Sequence, residues 1–116
     1  MNRREVGERG EVLAGRFLEA KGYRLLERNY RSRLGEIDLV CRDGQATVFV
    51  EVKTRTSDRF GHPAEAVIPR KQAKLRRLAQ EYLVSHKLED SEVRFDVLSV
   101  RLDAEPPTIE HLAGAF

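Results

Sequence analysis

The sequence predicts an α/β fold in which a mixed β-sheet is flanked by helices, with the elements in the order αβββαβ. Three observations lead to it. Val6, Gly10, Leu13, Ala14, Phe17 and Leu18 recur at helical spacing and form one apolar stripe. Two β-prone runs, residues 37–42 and 46–55, flank Asp43-Gly44, a strong hairpin signal. A second helical stripe, Leu75, Leu78, Ala79, Tyr82 and Leu83, then precedes another β-prone run at 93–100.

Taken in order, residues 5–21 are expected to form the first helix, with Gly22 as its stop. Residues 23–30 are moderately strand-like. In the run 46–55, Val48, Phe49, Val50 and Val52 are apolar on both faces, which predicts a central, buried strand. Residues 56–68 read as a loop, with Gly61 and Pro63. Pro69 is placed to open a helix reaching about His86. Pro106-Pro107 breaks the chain, and residues 108–116 can add a short edge strand and an apolar tail.

The chain has 116 residues, enough for one core, and a single domain spanning 1–116 is expected. It is 41% apolar and 34% charged, against norms of roughly 45–50% and ~25%. A small folded domain with a charged surface follows. The net charge is only +2, but the cations are clustered. Lys53, Arg55, Arg59, Arg70, Lys71, Lys74, Arg76 and Arg77 share their stretch with only two acids, Asp58 and Glu65. Arg24, Arg28, Arg31 and Arg33 form a second group. Such clusters either dock a polyanion or are ordinary solvated faces. Cys41 is the only cysteine, which excludes an intrachain disulfide and a cysteine-built zinc site. The polar N-terminus does not resemble a signal peptide, and no apolar run approaches ~20 residues. A cytoplasmic protein with no membrane contact is expected.

Strand alternation identifies the candidate chemistry. Glu36 and Asp38 share one strand face, as do Phe49, Glu51 and Lys53. A hairpin centred on Asp43-Gly44 puts Asp38 opposite Phe49 and Glu36 opposite Glu51. All four polar side chains then project from one face, with Asp38 and Glu51 about 7–8 Å apart as diagonal neighbours. Acids crowded in this way repel one another, and a bound Mg²⁺ or Mn²⁺ would remove the conflict. Asp38 and Glu51 are therefore candidate metal ligands, with Lys53 beside them to position water or stabilise charge on a phosphate. Alternatively, Glu51 and Lys53 merely end an exposed strand. Glu11 sits at the edge of the first helix's apolar stripe and is better placed than Glu8 to reach a site at the sheet, unless it is an ordinary boundary glutamate. His62, His86 and His111 lack metal-ligand spacing, and no catalytic Ser/His/Asp set, P-loop or dinucleotide fingerprint is present.

These segments also resemble a known family. Gly7-Glu8-Arg9-Gly10-Glu11, Gly22-Tyr23 and Arg28-Asn29-Tyr30-Arg31 carry the resemblance, followed by Gly35-Glu36-Ile37-Asp38-Leu39-Val40 and Phe49-Val50-Glu51-Val52-Lys53-Thr54-Arg55. Further matches are Phe60-Gly61, Pro63-Ala64-Glu65-Ala66-Val67, Lys71-Gln72, Arg94-Phe95-Asp96-Val97, His111 and Ala115-Phe116. Over nearly its full length the chain resembles the YraN-like family of small bacterial proteins. More widely it is similar to the PD-(D/E)xK nuclease superfamily, including archaeal Holliday-junction resolvases. The resemblance implies a restriction-endonuclease-like fold. It also implies Mg²⁺ ligation by Asp38 and Glu51, a catalytic lysine at Lys53 and a helix-borne metal-site glutamate at Glu11. Ile37 stands where the superfamily name has proline, and Glu36 is an extra acid.

The expected function is metal-dependent cleavage of branched, single-stranded or damaged DNA, with Arg31, Arg33, Arg55, Lys71, Lys74 and Arg77 on the nucleic acid. So short a chain leaves little room for a specificity domain, which favours recognition of DNA structure or a protein partner. The resemblance to resolvases implies a homodimer, to which residues 112–116 could contribute. A non-catalytic nucleic-acid-binding module is the alternative, and a protein-interaction scaffold using Leu112 and Phe116 is a third reading.

Overall fold

Each half of the chain places one helix on a shared sheet, and the two helices cover opposite faces. The computed structural model describes residues 1–57 and 67–116. Helix α1 (Arg3–Ala20) begins at Asn2, whose side chain accepts from the Glu5 amide at 2.9 Å. A cap of this kind contributes about 1 kcal/mol. Gly22, at φ +95°, turns the chain out of the helix.

Three antiparallel strands follow: β1 (Arg24–Ser32), β2 (Gly35–Asp43) and β3 (Ala46–Arg55). Helix α2 (Pro69–Ser85), with proline in its first turn, leads to β4 (Glu92–Arg101), which pairs parallel to β3. Strand β5 (Thr108–Leu112) closes the far edge antiparallel to β4, so spatial order equals chain order, β1-β2-β3-β4-β5. This is the mixed sheet flanked by helices of a restriction-endonuclease-like core. The expected loop at 56–68 lies largely outside the described residues, as do Asp58, Arg59, Phe60-Gly61, His62, Pro63 and Glu65.

β3 is apolar on both faces because both faces are covered. Val48 and Val50 pack with Ala14 and Leu18 of α1. Phe49 packs with Leu75, Leu78, Ala79, Tyr82 and Leu83, the predicted stripe of α2. Leu112, Ala115 and Phe116 fold back onto the α2-side core, where Phe116 stacks on Phe95 with centroids 5.0 Å apart.

The α1 contact is close at one point. A Cβ on Gly10 would lie 1.7 Å from Thr54 Oγ1 and 2.8 Å from Thr54 Cβ. Thr54 is too short to move aside, so helix and strand must separate. Gly10→Ala is expected to cost about 2–3 kcal/mol, read as a fall in Tm of about 5–10 °C in a thermal melt.

The predicted hairpin register is corrected. Asp43 pairs with Ala46 and Val40 with Phe49. The loop is Gly44-Gln45, with Gly44 at φ +59°. Glycine takes this first central position in type II′ hairpins. The loop therefore starts one residue later than the Asp-Gly signal suggested, which moves every pair by two. A shift of two keeps the faces unchanged, but Asp38 no longer stands opposite Phe49, and Glu36 is not opposite Glu51.

Candidate metal centre

Regular alternation fails at one place in β2, and the candidate site forms there. Ile37 and Val40 both lie in the α2-side core, whereas Leu39 and Cys41 lie in the α1-side core. The side-chain pattern thus flips at Asp38. In β1 the corresponding position is Asn29, between the pairs Arg28–Leu39 and Tyr30–Ile37, and it has φ +51°. Asparagine tolerates this left-handed conformation better than most residues. The paired irregularity sends Glu36 to the α1 side, which corrects the expectation that it shares a face with Glu51.

The sheet also opens at this point. Ladder pairing between β2 and β3 ends at Leu39–Val50. Beyond it β2 stays with β1 as far as Gly35, while β3 stays with β4 as far as Arg55. In the resulting notch the Val52 amide donates to Asp38 Oδ2 at 2.8 Å. That bond fixes the carboxylate between the diverging strands.

On the α1 side of the notch Glu11, Glu36 and Asp38 converge, each offering a carboxylate oxygen within 4.8 Å of the others. On the α2 side Glu51, only 8% exposed, is held by two ammonium groups. Lys71 Nζ lies 2.6 Å and Lys53 Nζ 3.4 Å from the same oxygen, Oε1. Of the expected ligand set Asp38, Glu51 and Glu11, the structure brings Glu11 and Asp38 together with Glu36 and places Glu51 alongside, paired to lysines.

The electrostatics follow this division. Burial, reinforced by the nearby charges of Glu51, Glu11 and Glu36, pushes the Asp38 carboxyl up to about 7, against the opposing hydrogen bond from Val52. Burial likewise raises Glu11, with Glu36 adding to the effect and Asn29 opposing it. Burial and the adjacent Lys71 lower Lys53 despite Glu51. For Lys71 the effect of burial is outweighed by Glu51, and the ammonium form is favoured. Three crowded hard oxygen donors, only partly compensated by Arg31, Asn29 and the Val52 amide, are the donor chemistry that Mg²⁺ or Mn²⁺ takes.

Clefts adjoin the acids. One of about 390 Å³ is lined by Arg3, Glu11, Val52, Thr54 and Arg55. Another of about 460 Å³ is lined by Arg3, Arg4, Glu11, Asn29, Arg31 and Glu36. A third, of about 370 Å³, runs from Glu36 past Lys71, Lys74 and Arg77. The predicted cations Arg31, Arg55, Lys71, Lys74 and Arg77 thus line clefts that reach the acids, whereas the exposed Arg33 is not among those lining residues. Arg31 also binds Glu36, with Nε 2.9 Å from Oε2. Arg3 and Arg4 escaped the sequence reading because an N-terminal arginine pair carries no spacing signal. For Lys71 the sequence indicates only a nucleic-acid contact.

Residues 10–100 match the model described as "Uncharacterised protein family UPF0102". The chain belongs to the UPF0102 family. A UPF0102 protein of Beutenbergia cavernae is 54% identical over 110 residues, covering 94% of this chain and 93% of that protein. One from Frankia alni is 53% identical over 112 residues, covering 96% and 93%. One from Geobacter metallireducens is 45% identical over 116 residues, covering 100% and 95%. The UPF0102 match spans α1 from Gly10 through most of β4, and so includes Glu11, Glu36, Asp38, Glu51, Lys53 and Lys71. No helix among the described residues is long and apolar enough to cross a membrane.

Proposed function

We propose that this UPF0102 protein is a divalent-metal-dependent DNA endonuclease of the PD-(D/E)xK type, acting on branched, single-stranded or damaged DNA. One observation carries the reading: three carboxylates converge at the strand notch beside a buried glutamate paired to a half-buried lysine. Glu11, Glu36 and Asp38 would hold Mg²⁺ or Mn²⁺, with Glu51 adjoining. The bound ion would supply Lewis acidity and a water of lowered pKa. Lys53 lies beside Glu51, where its positive charge can stabilise the developing charge on a phosphate. Arg31, Arg55, Lys74 and Arg77 line the adjoining clefts and would bind the flanking phosphates, with Arg33 further out.

The test is a panel of labelled duplex, single-stranded, flapped and four-way DNA with Mg²⁺ or Mn²⁺. Wild type should cut at least one form. Asp38→Ala, Glu51→Ala and Lys53→Ala should lose cutting by about two to three orders of magnitude while keeping their circular dichroism spectra. Full activity in all three would remove the site.

Neutralisation of Glu51 by two lysines favours a second reading, a nucleic-acid-binding module without turnover. That protein would bind DNA with a steep salt dependence, cut nothing in the panel and be indifferent to Asp38→Ala.

A further inference from the structure

We infer that Lys71 is an internal counter-ion of Glu51 in the metal-free protein, and that it leaves Glu51 for the substrate phosphate when the acidic centre is loaded. The inference rests on the metal-centre reading and adds a positioning residue to it.

Glu51 is buried, and a buried carboxylate needs a partner. Lys53, two residues along the same strand, already stands at 3.4 Å. Lys71 reaches the same Oε1 from another element and at closer range, 2.6 Å. Its location is otherwise poor for a cation. It lies in the first turn of α2, where the helix dipole disfavours positive charge and where that turn holds no acid. Glu51 supplies the local reason for a lysine there.

The other half of the notch has the opposite imbalance. Glu11, Glu36 and Asp38 crowd together, and among the described residues Asp38 has no salt-bridge partner. An ion entering beside Asp38 adds positive charge next to Glu51 and competes with both lysines for the same oxygen. Lys53 is tethered by its own strand. Lys71 is the one with somewhere to go, because its side chain is 36% exposed and lines the cleft that also holds Glu36, Lys74 and Arg77. An ammonium released into that cleft meets the face on which a phosphate would approach the acids. Metal loading and phosphate capture are thereby coupled through one side chain, without any movement of the backbone.

The experiment uses the whole chain and MnCl₂ as the probe. Mn²⁺ affinity is measured by calorimetry for wild type, Lys71→Met and Asp38→Asn. Lys71→Met should bind Mn²⁺ about five- to tenfold more tightly, since a competing cation has been removed. Binding of a short single-stranded oligonucleotide, with non-cleaving Ca²⁺ against EDTA, should strengthen on adding the ion in wild type and lose that gain in Lys71→Met. In wild type, the Lys71 ammonium resonance should be visible in metal-free protein, protected by Glu51. It should broaden or shift on adding Mg²⁺, while Lys53 moves less. That spectrum decides the matter if Lys71→Met does not fold. Unchanged or weaker Mn²⁺ binding in a folded Lys71→Met, or a Lys71 resonance indifferent to Mg²⁺, overturns the inference while leaving the metal centre standing. Wild type that binds no Mn²⁺, or that binds it as well as Asp38→Asn does, overturns the metal-centre reading and the inference with it.

Discussion

Asp38→Asn is expected to stabilise the metal-free protein at about pH 8 while abolishing its response to Mg²⁺. The two effects have one cause. The Asp38 carboxyl has an ordinary value of 3.8 and lies at about 7 in the fold, chiefly through burial and then through Glu51. A folded value above the unfolded one means that the native state holds the proton more tightly. The contribution to stability is therefore fully present below about pH 4 and is lost as pH rises through about 7. The upper bound is about 4 kcal/mol, which partial solvent access reduces to about 2 kcal/mol. Asparagine keeps an acceptor for the Val52 amide and removes the charge, so the penalty above pH 7 disappears. Melts of metal-free wild type between about pH 5 and 8 should show a falling Tm that flattens in Asp38→Asn.

Adding Mg²⁺ should reverse the ranking. Wild type gains stability by mass action, most strongly above about pH 7, where no proton competes for Asp38. The variant gains little and cuts nothing. A Tm equal in the two proteins at all pH values, with and without the ion, would show that Asp38 bears no strained charge and holds no metal.

The parts of the fold legible in the sequence were those set by local pattern. The apolar run at Val48–Val50 required cover on both faces, and α1 and α2 supply it. Pro69 marked a helix start, and the predicted stripe of α2 is the buried one. Face assignment in β3 survived a wrong register because the error was an even number of residues. The site was less legible. Its decisive feature is the flip at Asp38, matched by Asn29 at φ +51°, and an asparagine in a strand does not announce a left-handed conformation. Regular alternation therefore assigned Glu36 to the wrong face and left its role open. The Lys71–Glu51 pair spans a crossover between separate elements, and no periodicity reports a contact of that kind.

Asp96→Ala is expected to be the most damaging single change outside the notch, costing about 3–5 kcal/mol and lowering Tm by about 10–20 °C. Asp96 is fully buried, yet its situation is the reverse of Asp38's. Arg94 grips both carboxylate oxygens, at 2.9 and 3.0 Å. His111 Nε2–H donates to Oδ2 at 2.7 Å while its Nδ1 accepts from Lys21, and the Gly114 amide donates to Oδ1 at 3.0 Å. Burial pushes this carboxyl up, but Arg94, Gly114 and His111 outweigh it and hold it below the usual range. Stability from Asp96 is thus present above about pH 4 and is lost as pH falls through its depressed value, opposite in sign to Asp38. Alanine would leave His111 and the Gly114 amide without their buried partner and release the segment after β5 from the sheet. Among the described residues Glu11, Glu36 and Asp38 have no hydrogen bond or ion pair to this network, so folded Asp96→Ala at low temperature should still respond to Mn²⁺. A stability loss below about 1 kcal/mol, or loss of Mn²⁺ binding with the fold intact, would refute that separation. Of these two aspartates in one small sheet, Asp96 fully buried and Asp38 partly so, the one supplied with an arginine secures the fold. Asp38, which has no salt-bridge partner among the described residues, is the one proposed to take an ion from outside.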